Sequence, residues 1–205
     1  MCGIAGIVKR NIIRDKNIIN SMVESIKHRG PDGKGVYFFD NCVLGHTRLT
    51  IIDLINGDQP LLNKDGNIGL TFNGEIYGYQ AIKAQMNYPF STTSDTEVLL
   101  ALYQEYGTNI LEKLPGMFSF GLWDVKKNSL FCARDRFGEK PFYYAFGNDN
   151  EFIFASEIKA IIASGLIDPQ IDEISLQHYL KRLYVHPSKT IYRNIFSLPP
   201  AHYLT

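Results

Sequence analysis

Charge of one sign is what this sequence of 205 residues lacks: 21 lysines and arginines stand against 21 aspartates and glutamates. A protein built chiefly to bind nucleic acid carries a basic excess, so neutrality argues against that class. Long apolar runs are also lacking, and none approaches the ~18–20 residues of a membrane span. The N-terminal MCGIAGIVKR is too short in its apolar stretch, and wrongly flanked, for a signal peptide. Cysteine is scarce. Cys2, Cys42 and Cys132 are odd in number and far apart, which argues against a disulfide framework or a CxxC metal site and for a reducing cytoplasmic home. The five histidines (His28, His46, His178, His186, His202) show no ligand spacing, and there is no internal repeat. What is present is ordinary for a folded domain: 45% hydrophobic and 20% charged residues, enough to bury a sizeable core.

Residues 2–8 read as a short strand. Ile18, Ile19, Met22, Val23 and Ile26 recur at helical spacing and stop before Gly30, which suits a C-terminal cap. Segments 35–39, 42–49 and 67–73 read as strands. A helix is expected over 94–106, where Ser94 and Glu97 form an S-x-x-E capping box and Gly107 closes the segment. Strands return at 117–124, 130–134, 142–146 and 151–155, and helices follow at 156–164 and 173–183. Cys42 and Cys132 fall in apolar strands and read as small buried hydrophobes. Such mixed blocks predict a layered α+β domain over 1–190. The Pro-rich 191–205 reads as the start of a linker.

Chemistry is concentrated in a few segments. Cys2 follows the initiator Met and precedes Gly3, so removal of Met1 leaves a residue holding both a thiol and a free α-amine. With unperturbed pKa values of about 8.5 and about 7.7–8.0, the amine can accept the thiol proton. A Cys2 that merely packs at a strand start is the bland alternative. HRGPDG at 28–33 is a turn-dense string. Arg48, inside RLTIIDL at 48–54, either faces solvent from a strand or grips a carboxylate through its planar fork. Asn73-Gly74 either makes a simple turn at a strand end or supplies an amide and a backbone N–H to an oxyanion. Asp95 sits in a helix first turn, where the dipole alone accounts for an acid. Arg134-Asp135-Arg136 reads as a salt-bridged loop or a docking face. Together Arg48 suits a carboxylate, Glu75 and Asp95 an ammonium, and Asn73 with Gly74 an oxyanion beside a thiolate. That combination describes acyl transfer on an amino acid with a side-chain acyl group.

These segments, with SDTE at 94–97, FNGEIY at 72–77 and ARDRFGEKPFYY at 133–144, resemble the glutamine-hydrolysing domain of class II, N-terminal nucleophile amidotransferases. RGPDG and FNGEIY favour the asparagine synthetase branch. The resemblance covers essentially the whole chain. It implies a four-layer α-β-β-α sandwich of two mainly antiparallel sheets. It also implies Cys2 as nucleophile, Asn73 and Gly74 as oxyanion hole, Arg48 on the substrate α-carboxylate, Glu75 and Asp95 on its α-ammonium, and backbone groups near Ile51 and Ile52 helping to seat it. Glutamine would give glutamate and ammonia, and the ammonia would pass to an ATP-dependent synthetase domain or subunit. No cofactor is implied in this domain; ATP and Mg²⁺ are expected in the synthetase domain, for which no pyrophosphate loop occurs in these residues. A homodimer is compatible with it, and no nucleic acid or membrane partner is implied. One departure is Gly78, where the family often has Asn. Two other expectations stay open: an amidotransferase feeding another acceptor such as a sugar precursor, and a catalytically idle regulatory domain of the same fold.

Overall fold

Strand residues alternate between faces, and the alternation sorts the side chains of this chain into three apolar layers. The computed structural model describes residues 1–10 and 16–205. One sheet has the order β10-β8-β9-β1-β3-β2, formed by β1 (Gly3–Val8), β2 (Gly33–Phe38), β3 (Cys42–Arg48), β8 (Tyr143–Phe146), β9 (Phe152–Ala155) and β10 (Ile195–Ser197). The second has the order β11-β7-β6-β5-β4, formed by β4 (Leu61–Leu62), β5 (Ile68–Ile76), β6 (Gly116–Asp124), β7 (Ser129–Arg134) and β11 (Tyr203–Leu204). Neighbouring strands are antiparallel in both.

Ala5 and Ile7 of β1 pack outward with Ile19, Met22 and Val23 of α1 (Lys16–Ser25) and with Ala160 and Ile161 of α4 (Ile158–Ala163). Ile4, Leu44, Trp123, Phe142 and Phe154 fill the space between the sheets, together with Cys42 and Cys132. Phe118, Phe120 and Phe131 pack on the far side against Val98, Leu99 and Leu102 of α3 (Asp95–Tyr106). Helix, sheet, sheet, helix is therefore the order of layers, as the resemblance implies. Burial pushes the thiols of Cys42 and Cys132 well up, which suits their packing role.

Several local expectations need correction. β5 does not end at residue 73 but runs through Asn73-Gly74, so that pair lies within a ladder and makes no turn. Gly74 is opposite Phe118, and a Cβ there would lie 2.3 Å from the Met117 carbonyl oxygen: close approach of the neighbouring strand excludes a side chain. Gly30 is not a left-handed cap, having φ −147° after a short 3-10 turn at Lys27–Arg29. Its lack of a side chain serves packing, since a Cβ would lie 2.4 Å from the Arg48 backbone nitrogen. Ser94 does cap α3, accepting from the Thr96 N–H, but Glu97 does not complete a reciprocal box. Its carboxylate instead accepts from the backbone and hydroxyls of Ser91 and Thr92, which ties down the preceding turn.

Elements without apolar periodicity escape the sequence reading: the two-residue β4, the short α2 (Tyr79–Ala84), and the edge strands β10 and β11 inside 191–205. The helix expected over 173–183 is α5 (Glu173–Arg182). Gly78 precedes α2 at φ +65°, a left-handed position that glycine adopts freely and asparagine better than most residues. The departure at that residue is thus conformationally conservative. Arg134-Asp135-Arg136 forms no ion pair among the described residues. Arg134 donates to the carbonyls of Gly138, Lys140 and Leu198, and Asp135 accepts from the N–H groups of Phe118, Phe137, Glu139 and Lys140. The charges hold backbone in place, as buried charges with saturated hydrogen bonds can.

Candidate active site

Cys2 lies one residue ahead of β1, and the pairing of Gly3 with Thr47 sets it beside the end of β3, where Arg48 stands. Its thiol donates to the Leu49 carbonyl at 3.7 Å, and its own carbonyl accepts from Arg29 Nε at 3.0 Å. Arg29 is in turn held by Glu157, at 3.0 Å from Nη1. This explains part of the HRGPDG string: Arg29 grips the residue just ahead of β1, and Asp32 accepts from the Thr50 N–H at 2.8 Å, which anchors the loop after β3.

Arg48 is 9% exposed, and the loop that follows it folds back over its guanidinium. Nη1 pairs with the exposed Asp58 at 2.8 Å, and Nη2 donates to the Asp53 carbonyl. The fork is thus oriented before any ligand arrives. Asp95 begins α3, and its Oδ2 accepts from the Ile76 N–H at 3.0 Å, which ties the end of β5 to the start of the helix. Burial pushes its carboxyl up, the N–H groups of Ile76 and Thr96 pull it back, and the nearby Glu75 adds to the rise. A buried acid close to a second acid, with no cation paired to it among the described residues, is a place for a cation.

The eight residues singled out from the sequence converge. Cys2, Arg48, Ile51, Ile52, Asn73, Gly74, Glu75 and Asp95 all line one cavity of about 130 Å³. Ile51 is exposed at its rim, whereas Asn73 is 1% exposed. The Asn73 amide nitrogen is buried and has no protein hydrogen-bond partner. Burial pushes the Cys2 thiol up; the bond to Leu49 and the charges of the N-terminus and Arg48 lower it, and Asp95 opposes them. In the chain that carries Met1, the thiol therefore stays protonated near neutral pH and needs a base.

Other lining residues were not legible. Gln59 accepts from the Phe72 N–H at 2.7 Å and donates to Thr96 at 3.3 Å, bridging β5 to α3 behind the cavity. A lone Gln before Pro60 carries no sequence signal for that. Lys140 also lines the cavity, although the motif containing it gave no reason to place it there.

The glutamine amidotransferase domain family matches this chain over residues 1–205. Asparagine synthetase [glutamine-hydrolyzing] 2 of Bacillus subtilis is 44% identical over 168 residues, covering 80% of this chain and 22% of the relative. Asparagine synthetase [glutamine-hydrolyzing] of Zea mays is 42% identical over 165 residues, covering 78% of this chain and 28% of the relative. The chain thus spans about a quarter of the length of these two relatives. The solved structure of the allosteric regulatory enzyme of purine biosynthesis superposes with a TM-score of 0.73 at 21% identity, over 99% of this chain and 46% of that one. That likeness establishes the shared fold, and the family match over the full length establishes kinship: the chain belongs to the glutamine amidotransferase domain family.

Proposed function

We propose that this domain hydrolyses the side-chain amide of glutamine to glutamate and ammonia, with Cys2 as nucleophile once Met1 has been removed. The observation that carries the reading is one cavity lined by the Cys2 thiol, the unpartnered amide of Asn73, the preoriented Arg48 and the unpaired acid Asp95. Arg48 binds the α-carboxylate and Asp95, with Glu75, the α-ammonium, which leaves the side-chain amide facing Cys2. The freed α-amine takes the thiol proton as sulfur attacks the amide carbon, and the carbonyl electrons move onto oxygen. Asn73 Nδ2 and the Gly74 N–H donate to that oxyanion. Its collapse breaks the C–N bond, and the proton held by the amine leaves with ammonia. Water, losing a proton to the same amine, attacks the thioester; the second collapse releases glutamate and returns the thiol.

The ammonia passes to an ATP-dependent amide-forming domain, where ATP and Mg²⁺ belong. The names of the two relatives, and the much greater length of each, support that destination. A nucleophilic thiol needs a reducing setting, which supports the cytoplasm. The test is intact mass read alongside glutamate release. The expected result is a mass lacking one methionine, with glutamate formed, and no glutamate from Cys2→Ala at unchanged thermal stability. A processed chain that releases no glutamate, or a Cys2→Ala variant that does, overturns the reading.

A further inference from the structure

Two basic side chains line the cavity of Cys2, and their circumstances differ. Arg48 has the carboxylate of Asp58 as its own counter-charge. Lys140 is 6% exposed, and its ammonium donates to the Met1 sulfur at 3.2 Å; no carboxylate pairs with it among the described residues. A thioether is a weak acceptor, so the site does little to offset the cost of burying that charge. The loop nevertheless holds Lys140 firmly. Asp135 accepts its N–H at 3.0 Å, and Arg134 donates to its carbonyl at 2.7 Å and to that of Gly138 at 2.7 Å. Stability does not explain a lysine whose charge is held against the residue that processing removes.

We propose that Lys140 acts on the Cys2 α-amine: its ammonium, seated on the Met1 side of Cys2, disfavours a second positive charge there and keeps the amine in its neutral, proton-accepting form. The proposal rests on the reading of Cys2 as a processed nucleophile. Lys140 is a positioning residue, acting through the amine. The other charges around Cys2 are accounted for. Arg48 from β3 is paired with Asp58, and Arg29, on the Cys2 carbonyl, is paired with Glu157. Asp95 from α3 and Glu75 from β5 line the same cavity and favour a protonated amine, which is the pull that Lys140 counters. Lys140 is the basic group lining this cavity, in contact with Met1, that has no carboxylate of its own among the described residues, so its charge is the least locally compensated.

The chain has three cysteines, so [¹³C]cysteine labelling gives three Cα signals, and the Cys2 Cα reports protonation of the amine. Processed wild type, Lys140→Met and Lys140→Arg are titrated, and the acid limb of kcat/KM for glutamine is measured on the same samples. In Lys140→Met the Cys2 midpoint is expected to rise by on the order of one pH unit, with Lys140→Arg staying at the wild-type value. The acid limb should move with the midpoint, which a purely structural lysine would not cause. Equal midpoints in Lys140→Met and wild type overturn the proposal. A raised midpoint in Lys140→Met, with no glutamate released by any processed form, upholds it and sinks the hydrolysis reading instead.

Discussion

Asn73 and Ser119 stand directly opposite each other in the β5–β6 ladder, and each ends in a buried polar atom without a protein partner, Nδ2 in one and Oγ in the other. An unsatisfied buried donor costs about 1–3 kcal/mol, and in the proposed mechanism the Asn73 amide is satisfied by the oxyanion. Of the two residues, Asn73 lines the cavity. Asn73→Ala is expected to lower kcat on the order of 10²–10³-fold with little change in KM. Steady-state kinetics decide this: a loss confined to KM would place Asn73 in ground-state binding.

Arg48→Lys should raise KM for glutamine strongly while the chain stays folded. A lysine keeps the charge but loses the fork that reaches both Asp58 and the Asp53 carbonyl, and with it the geometry for two parallel bonds to a carboxylate. An unchanged KM would put the substrate carboxylate elsewhere.

Asp95→Asn separates stability from function. Its folded carboxyl is raised by burial, so ionisation costs the folded state more than the unfolded one. The protein therefore loses stability from this group as pH rises through the ordinary carboxylate range. Asparagine can still accept from the Ile76 N–H, so the variant is expected to be at least as stable as wild type at pH 7. It should also show a KM for glutamine raised by about 10²-fold, if its charge meets the ammonium as proposed. Thermal melting and kinetics on the same sample check both halves, and a melting point well below wild type would refute the first.

His46 should set part of the acid stability. It is fully buried beside β5, and burial, with Arg48 nearby, lowers its pKa to about 3. Thr71 donates to the Gly45 carbonyl and so accepts from His46 Nδ1–H, which places the proton of the neutral ring on Nδ1. Above an unfolded pKa of about 6.5 the group has no effect on stability. As pH falls from there toward 3, the unfolded chain binds a proton that the folded one refuses. Stability then falls by up to ~1.4 kcal/mol per pH unit from this residue. Denaturant unfolding of His46→Gln should give a shallower pH dependence between pH 6.5 and 4.5. Equal slopes in both proteins would show that His46 is not held neutral.

The strand segment at 117–124, the spacing of Ile19, Met22 and Val23, and the Ser94 cap were readable because each depends on neighbours within a turn or two. Six of the eight site residues were readable by type, since a terminal Cys, a lone Arg in a strand and a strand Asn each suit one kind of ligand group; Ile51 and Ile52 came only with the resemblance. Their roles became arguable only through their combination.

What the sequence by itself determined is the inventory: the segments that form strands and helices, and the chemical groups available to a site. What the tertiary structure alone decided is their placement. Pairing of β1 with β3 sets Cys2 beside Arg48, and packing of the two sheets adds Asn73 from β5 and Asp95 from α3. It also puts Arg29 on the Cys2 carbonyl, Gln59 between β5 and α3, and Lys140 against Met1. None of these contacts is local; Lys140 and Met1 are 139 residues apart in the chain. Local preferences act over a few residues, whereas such pairs exist only once strand order, register and sheet stacking have excluded every other arrangement of the same segments.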